Sequence, residues 1–145
     1  MRIEKWSTSF FPLIEKRYRT MREKILIIDD EKDFTYFIKE NLQLISNYTV
    51  ITAKRGRKGI RAALKENPDL ILLDVMMPGI DGFEVLKRLK INEKTYHIPV
   101  IMMTENSTDE PKIKESGFSA EDYIIKPVET KVLRAKIHSI LSPRI

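Results

Sequence analysis

An α/β fold built on a five-stranded parallel sheet is predicted by two features of the chain. After residue 24, short apolar runs alternate with amphipathic helical patterns five times, and this alternation is typical of consecutive βαβ units. The runs that begin at Ile25 and Leu70 are apolar throughout. Strands of that kind are covered by helices on both faces of a sheet. The sequence therefore predicts a parallel sheet with helices on both sides.

The individual elements follow from periodicity and from proline. Asn67-Pro68 and Ile98-Pro99 mark returns from helix to strand, because the residue before proline disfavours the α region. The strands are predicted at Lys24–Ile28, Tyr48–Ala53, Leu70–Leu73, Pro99–Met103 and Asp122–Ile125. Apolar residues at helical spacing predict a helix after each strand, five in all, with anchors such as Ile38, Ala63, Leu86 and Ile137.

The predicted fourth helix has the weakest pattern. Between Thr104 and Tyr123 only Ile113 and Phe118 are large and apolar. We therefore expect a short helix with little buried area, at the low-stability end of the fold.

Composition narrows the class of protein. A chain of 145 residues corresponds to about one domain, and 42% hydrophobic with 32% charged residues is typical of a globular protein. The lack of cysteine excludes disulfides, thiolate metal sites and a cysteine nucleophile. No apolar run approaches the roughly 20 residues that span a bilayer. An intracellular, cytoplasmic location is expected.

Residues 1–21 differ from the rest as a basic and aromatic extension. Of the net charge of +5, residues 1–24 carry +4, from seven Lys or Arg against three Glu. The remainder is nearly neutral and has no nucleic-acid footprint. Trp6 and Phe10 are unusual in a free linker, yet Pro12 interrupts a helix there. The extension is either a short docking element or precedes a true start at Met21; we expect it to be poorly ordered, with the folded domain at 22–145.

Acidic, hydroxyl-bearing or basic residues directly follow four of the apolar runs. Asp29-Asp30, Asp74, Thr104 and Lys126 each stand at such an end. In an open α/β sheet, ligands gather at the carboxyl ends of the strands. These four ends thus predict one pocket, suited to a divalent cation and a phosphoryl group.

The charges in this pocket demand a cation. Two carboxylates about 4 Å apart repel by roughly 4 kcal/mol at an effective dielectric near 20. The total repulsion among Asp29, Asp30 and Asp74 would be larger than this value. Oxygen-only ligands select a hard ion, of which Mg²⁺ is the common choice. Neighbouring strand residues point to opposite faces, so Asp29 and Asp30 share a metal only if the chain leaves the strand there. Helix capping by Asp30 or Asp33 is the structural alternative.

The whole set resembles the receiver domain of two-component response regulators, over about residues 22–145. The resemblance rests on the spacings of 44, 30 and 22 residues from Asp30 through Asp74 and Thr104 to Lys126, and on the stretch 74–82, DVMMPGIDG. It implies a flavodoxin-like, doubly wound sheet in the order 2-1-3-4-5. It also implies a phosphorylation switch of the chemotaxis-regulator type, with no enzymatic activity beyond its own phosphorylation and dephosphorylation.

The resemblance also assigns roles within the pocket. Asp74 would accept the phosphoryl group, assisted by Thr104 and Lys126. Asp30, Asp74 and the backbone carbonyl of Met76 would bind Mg²⁺ directly, and Asp29 would act through water.

Further expectations concern the switch and one departure from the family pattern. Tyr123 occupies the position of the family's switch aromatic and would act with Thr104; a half-buried strand tyrosine is the plain alternative. Lys126-Pro127 matches the family's cis peptide.

Glu105 stands where receivers usually have a small residue, so we expect it to modulate the site.

Partners follow from the same resemblance. A histidine kinase or phosphotransfer protein would supply the phosphoryl group, and an unknown protein would read the surface of the fourth helix, fifth strand and fifth helix. The chain ends directly after the fifth helix, which predicts a stand-alone receiver without direct DNA binding or a membrane span, either monomeric or dimerising on phosphorylation. A receiver fragment of a longer response regulator is the alternative.

Two other classes of protein share the architecture. A haloacid-dehalogenase-like phosphatase also uses an aspartate nucleophile, but it requires Asp-x-Asp, and here Asp74-Val75-Met76 lacks the second carboxylate. A flavodoxin-like nucleotide binder requires a loop rich in Gly, Ser or Thr after the first strand. Asp29-Asp30-Glu31 would repel a phosphate at that position.

Overall fold

The computed structural model describes residues 22–109, 117 and 119–142. Within them the strands are β1 (Lys24–Ile28), β2 (Thr49–Ala53), β3 (Leu70–Asp74), β4 (Val100–Thr104) and β5 (Asp122–Ile125). They form one sheet in the order β2-β1-β3-β4-β5, and every neighbouring pair is parallel. The predicted doubly wound sheet and its strand order are confirmed. Strand bounds differ from the prediction by one residue at most.

The described residues contain four helices. They are α1 (Lys32–Ile45), α2 (Gly56–Glu66), α3 (Gly82–Ile91) and α4 (Thr130–Leu141), and α4 corresponds to the predicted fifth helix. The predicted fourth helix and the N-terminal extension 1–21 lie outside the described residues. No helix in the described part of the chain is long and apolar enough to cross a bilayer.

Helices cover both faces of the sheet, and each face has its own core. Along β1, Leu26 and Ile28 contribute to the core beneath α2 and α3, whereas Ile25 and Ile27 contribute to the core beneath α1 and α4. All four side chains are fully buried. Because neighbouring strand residues point to opposite faces, an uninterrupted apolar strand supplies both cores at once.

The start of α3 lies directly against the end of β3. The Gly82 N–H donates to the carbonyl of Val75 at 2.7 Å, and a Cβ on Gly82 would lie 2.7 Å from the Val75 Cα and closer still to the Asp74 carbonyl oxygen. Only a residue without a side chain fits there. Asp81 caps the helix by accepting a hydrogen bond from the Glu84 N–H at 3.0 Å. This close approach fixes the chain that follows Asp74.

Strand β5 is held by β4 at its end and by α4 at its start. The Lys126 N–H donates to the Thr104 carbonyl at 2.7 Å. At the start of β5, Lys136 of α4 forms a salt bridge with Asp122 at 2.9 Å. The Lys126-Pro127 bond is cis, as the resemblance to receiver domains implied. These contacts bring Lys126 to the same edge of the sheet as Asp74.

Candidate functional site

Three strand ends place charged side chains in contact. Asp29 follows β1, Asp74 ends β3 and Lys126 follows β5. The Lys126 ammonium nitrogen lies 2.9 Å from Asp29 Oδ2 and 3.5 Å from Asp74 Oδ1. All three side chains are almost completely buried. The structure thus joins residues that are up to 97 positions apart in the sequence.

Carboxylate oxygens gather beside this lysine. One oxygen each from Asp29, Glu31 and Asp74 lies within 4.8 Å of the others. A set of oxygen donors of this kind fits a hard divalent cation. Among the described residues the carboxylate of Asp30 does not belong to this group of three, although its charge acts on Asp74. Glu31 therefore belongs to the cluster, although the sequence did not predict it as a site residue.

The first turn of α1 explains how the chain leaves β1. The Asp29 N–H still donates to the Ala53 carbonyl of β2, at 3.0 Å. The Glu31 N–H then donates to Asp29 Oδ1 at 2.9 Å, so that the chain turns out of the strand immediately after Asp29. Glu31 is the N-cap residue of α1, and its side chain makes no capping hydrogen bond. Neither Asp30 nor Asp33 occupies the capping position that we considered as the structural alternative.

Burial has the largest effect on the pKa values of Asp29 and Asp74. Burial first, and the charge of Asp29 second, raise the pKa of Asp74 to about 7, although Lys126 opposes both effects. Burial also raises the pKa of Asp29, despite its hydrogen bonds with the Glu31 N–H and Lys126. A negative charge on either residue is therefore costly without a second cation nearby.

Lys126 is the positive charge at the centre of the cluster. Burial alone would lower its pKa, but hydrogen bonds to Asp29 and Glu31 outweigh burial and raise it. The ammonium nitrogen also lies 3.0 Å from Glu31 Oε1 and 4.4 Å from the centre of the Phe34 ring. A cation over an aromatic face gains electrostatic attraction. Lys126 is thus held as a permanent cation within contact of Asp74.

Thr104 is the last residue of β4, but its hydroxyl makes its hydrogen bonds outside the cluster around Lys126. The hydroxyl donates to Asp109 Oδ2 at 2.5 Å and accepts from the Asn106 N–H at 3.0 Å. Thr104 and Asp109 are both buried. Within the described residues the hydroxyl shares hydrogen bonds with Asn106 and Asp109 rather than with Asp74 or Lys126.

The other predicted site residues lie around this centre. Met76 lies in the loop after β3 with an exposed side chain, and Tyr123 is a partly buried residue of β5 that packs on the core beneath α2 and α3. Glu105 is exposed. A pocket of about 540 Å³ lies next to the cluster, lined by Glu31, Phe34, Phe37, Glu105, Lys126, Pro127 and Val128.

The family follows from comparison with known sequences. The sequence profile of the response regulator receiver domain matches residues 25–138. The chain belongs to this family. The matched range contains the whole cluster of buried acids and lysine at the strand ends, so the cluster is part of a receiver domain.

Relatives of this receiver domain include regulators of known name and solved structure. It is 37% identical over 121 residues to the alkaline phosphatase synthesis transcriptional regulatory protein PhoP of Bacillus subtilis, covering 83% of this chain and 49% of PhoP. The chain thus spans about half the length of the curated relatives that it matches.

Two solved structures give the same fold. The chemotaxis protein CheY4 of Vibrio cholerae aligns with a TM-score of 0.75 at 28% identity, over 82% of this chain and 98% of CheY4. The response regulator TrrA of Thermotoga maritima, solved in complex with Mg²⁺ and BeF, aligns with a TM-score of 0.74 at 30% identity, over 82% and 99% of the two chains.

Three residues of this receiver domain were not assigned to the site from the sequence. Glu31 and Phe34 contact Lys126, and Asp109 holds the Thr104 hydroxyl. Glu31 directly follows the two predicted acidic ligands, and that proximity was the available signal. Asp109 had none, because an acidic residue five positions after Thr104 also fits an ordinary surface turn.

Proposed function

We propose that this receiver domain is a phosphorylation-activated signalling switch whose phosphoryl acceptor is Asp74. The observation that carries the proposal is the buried Asp74 carboxylate with the Lys126 ammonium 3.5 Å away. A buried carboxylate at a strand end is poorly suited to a purely structural role, since burial raises the pKa of Asp74 to about 7. Such perturbed groups cluster at functional sites.

The proposed reaction is a phosphoryl transfer from a phosphohistidine. An oxygen of Asp74 forms a bond to phosphorus while the bond between phosphorus and the donor's imidazole nitrogen breaks, and the imidazole takes up a proton. The transition state is loose, so catalysis consists of positioning and charge neutralisation. Lys126 supplies a positive charge to the phosphoryl oxygens, and Thr104 supplies a hydrogen-bond donor.

Mg²⁺ is the cofactor of this proposed reaction. We propose Asp30, Asp74 and the Met76 carbonyl as direct ligands, with Asp29 acting through water. The gathering of Asp29, Glu31 and Asp74 oxygens supports a cation at this edge of the sheet. When bound, the ion neutralises charge on the carboxylates and on the transferred group. Glu31 joins these candidates because its oxygen lies in the same cluster.

The output of the switch is a change of surface. We propose that Thr104 and Tyr123 respond to phosphorylation, and that a partner protein reads the region of the predicted fourth helix, β5 and α4. A histidine kinase or phosphotransfer protein is the proposed donor, and the cytoplasm is the proposed location. The receiver would carry out only its own phosphorylation and dephosphorylation. A stand-alone receiver and the receiver part of a longer response regulator would share this chemistry.

The decisive experiment uses a small phosphodonor. Acetyl phosphate with Mg²⁺ should add one phosphoryl group to the full chain, detected as a mass increase that hydroxylamine removes, because an acyl phosphate is labile to it. Asp74→Asn should abolish the modification, and Asp33→Asn should leave it intact. A stable modification of Ser or Thr in the Asp74→Asn variant would overturn the proposal.

A further inference from the structure

The Thr104 hydroxyl has a single proton, and Asp109 accepts it. The Oγ1 to Oδ2 distance is 2.5 Å, whereas the alternative acceptor, the Asn106 carbonyl, lies 3.2 Å away. The Asn106 N–H already occupies the hydroxyl oxygen as a donor. A hydroxyl carries one proton and two acceptor positions. Thr104 can therefore donate to a phosphoryl oxygen only after it releases Asp109.

Releasing Asp109 has a cost because of where it lies. Only 6% of Asp109 and 2% of Thr104 is exposed. Hydrogen bonds to a carboxylate are shorter and about twice as strong as those between neutral groups. A buried carboxylate that loses such a partner must find another donor or move towards solvent. The phosphoryl group and Asp109 thus compete for the same proton.

We infer that Asp109 is a positioning residue that holds Thr104 in the resting arrangement and thereby weakens binding of the phosphoryl group. This inference rests on the proposed function of Asp74. Asp109 acts through Thr104 alone and would not touch the phosphoryl group. The hydrogen bond between Thr104 and Asp109 stabilises the resting state, and it must break in the phosphorylated state. Its strength therefore shifts the equilibrium between the two states.

Beryllofluoride, which mimics a phosphoryl group, provides the test. We would titrate the full chain with beryllofluoride in excess Mg²⁺ and follow bound fluoride by ¹⁹F NMR. Asp109→Ala should tighten binding about tenfold, since it removes a charge-assisted hydrogen bond from the resting state. Asp109→Asn retains an acceptor oxygen without the charge, so its gain should be about threefold. Glu93→Ala removes the same charge from the exposed loop that enters β4 and should change Kd less than about twofold.

Thr104→Val separates positioning from plain electrostatics. Val matches the shape of Thr but has no hydroxyl, so in its background Asp109→Ala should give no gain. A double-mutant cycle measures this coupling directly. An equal gain with and without the Thr104 hydroxyl would mean that Asp109 only repels the anion, and the inference would be wrong.

The remaining outcomes separate this inference from the proposed function. If wild-type protein binds beryllofluoride, Asp74→Asn does not, and both Asp109 variants equal the wild type, then the inference fails and the function stands. If wild-type protein does not bind it, or if Asp74→Asn binds as well as wild type, the proposed function fails. Should Asp109→Ala unfold, the Asp109→Asn variant and its Thr104→Val partner provide the same comparison at smaller amplitude.

Discussion

The ammonium nitrogen of Lys126 lies 2.9 Å from Oδ2 of Asp29, although two strands separate β5 from β1 in the sheet. At roughly 4.8 Å between neighbouring strands, the two strand axes lie about 14 Å apart. The lysine side chain and the turn after β1 together bridge that gap above Asp74. Lys126 is therefore the internal counter-ion of the acidic cluster.

Replacing Lys126 should lower the free energy of unfolding, because the buried acids lose their counter-ion. Lys126→Met leaves Asp29 and Asp74 buried without their cation, and the loss of one partner of a buried ion pair costs about 3–5 kcal/mol. We expect the free energy of unfolding at pH 8 in EDTA to fall by about that amount, as measured with urea. Mg²⁺ should restore more stability in this variant than in wild type, since the ion no longer meets the ammonium charge.

Lys136→Met is the matched control for that variant. Lys136 also pairs with an aspartate at 2.9 Å, but both side chains are 30% exposed. Exposed pairs contribute about 0–1 kcal/mol. If the two substitutions cost the same, Lys126 is not a buried counter-ion.

The pKa of Asp74 predicts how stability depends on pH. Its pKa is about 7 in the folded chain and 3.8 for an ordinary aspartate. Between about pH 4 and pH 7 the folded state therefore binds more protons than the unfolded state, and stability must fall as the pH rises through that window. In EDTA this loss should reach at most about 4 kcal/mol. The raised pKa of Asp29 acts in the same direction.

Asp74→Asn should flatten that profile. The neutral amide has no proton to lose, so the variant should be more stable than wild type at pH 8 in EDTA and similar to it near pH 5. Urea denaturation at several pH values measures both. A wild-type stability that rises between pH 5 and pH 7 would contradict the raised pKa of Asp74.

The ligand set of the metal is open to direct comparison. The proposed ligand Asp30 lies outside the cluster of carboxylate oxygens, whereas Glu31 lies inside it but is half exposed and paired with Lys126. We expect Mg²⁺ to raise the melting temperature in proportion to its occupancy. Asp30→Ala should abolish that increase, Glu31→Ala should reduce it only in part, and Asp33→Ala should leave it intact. Equal losses at Asp30 and Asp33 would refute the proposed ligands.

The sequence predicted the parts of this site that depend on strand ends. Apolar runs of four or five residues define where a strand stops, and in a parallel sheet all such stops meet at one edge. The meeting of Asp29, Asp74 and Lys126 at one edge was therefore predictable from the sequence, whereas the roles of these residues and of Thr104 stay predictions. The strand pattern carries no information about hydrogen-bond partners beyond the strand.

Contacts made by the loops could not be predicted in the same way. Glu31 and Asp109 reach Lys126 and Thr104 through turns whose direction depends on hydrogen bonds between the backbone and side chains, such as Asn106 N–H to Thr104 Oγ1. Acidic residues in turns are common, so their residue type alone does not indicate a role. The predicted fourth helix lies outside the described residues, and its short length stays a prediction.

Gly82 should tolerate no side chain. A Cβ at this position would lie 2.7 Å from the Val75 Cα, against backbone that has no freedom to rotate away. We expect Gly82→Ala to lower the free energy of unfolding by about 1–3 kcal/mol, as forced overpacking does. Because the clash involves the carbonyl of Asp74, acetyl-phosphate labelling should also slow.

Gly79→Ala provides a control of different physical origin. Gly79 has a φ of +82°, and a Cβ on this residue would meet no neighbouring group within 4 Å. Its substitution costs only backbone strain, about 1–2 kcal/mol. Stability losses should thus be comparable, but labelling should slow only in Gly82→Ala. Equal labelling rates would show that the contact at Asp74 is unimportant for transfer.

Glu105 should obstruct the proposed phosphorylation site from its rim. It directly follows Thr104 and lines the same pocket as Lys126. A carboxylate held about 4 Å from a phosphoryl oxygen would cost on the order of 4 kcal/mol at an effective dielectric near 20. That cost would slow transfer by about two to three powers of ten. Because Glu105 is exposed, solvent and salt screen much of this repulsion.

Glu105→Ala should therefore accelerate two reactions at once. Small anionic donors and the water that hydrolyses the product both approach through the rim, so acetyl-phosphate labelling and dephosphorylation should both become faster. The gain in labelling should shrink at high salt, because screening removes the repulsion from the wild type as well. Glu93→Ala, at the opposite end of β4, should change neither rate. If Glu105→Ala leaves both rates unchanged, the carboxylate is a surface group without influence on the switch.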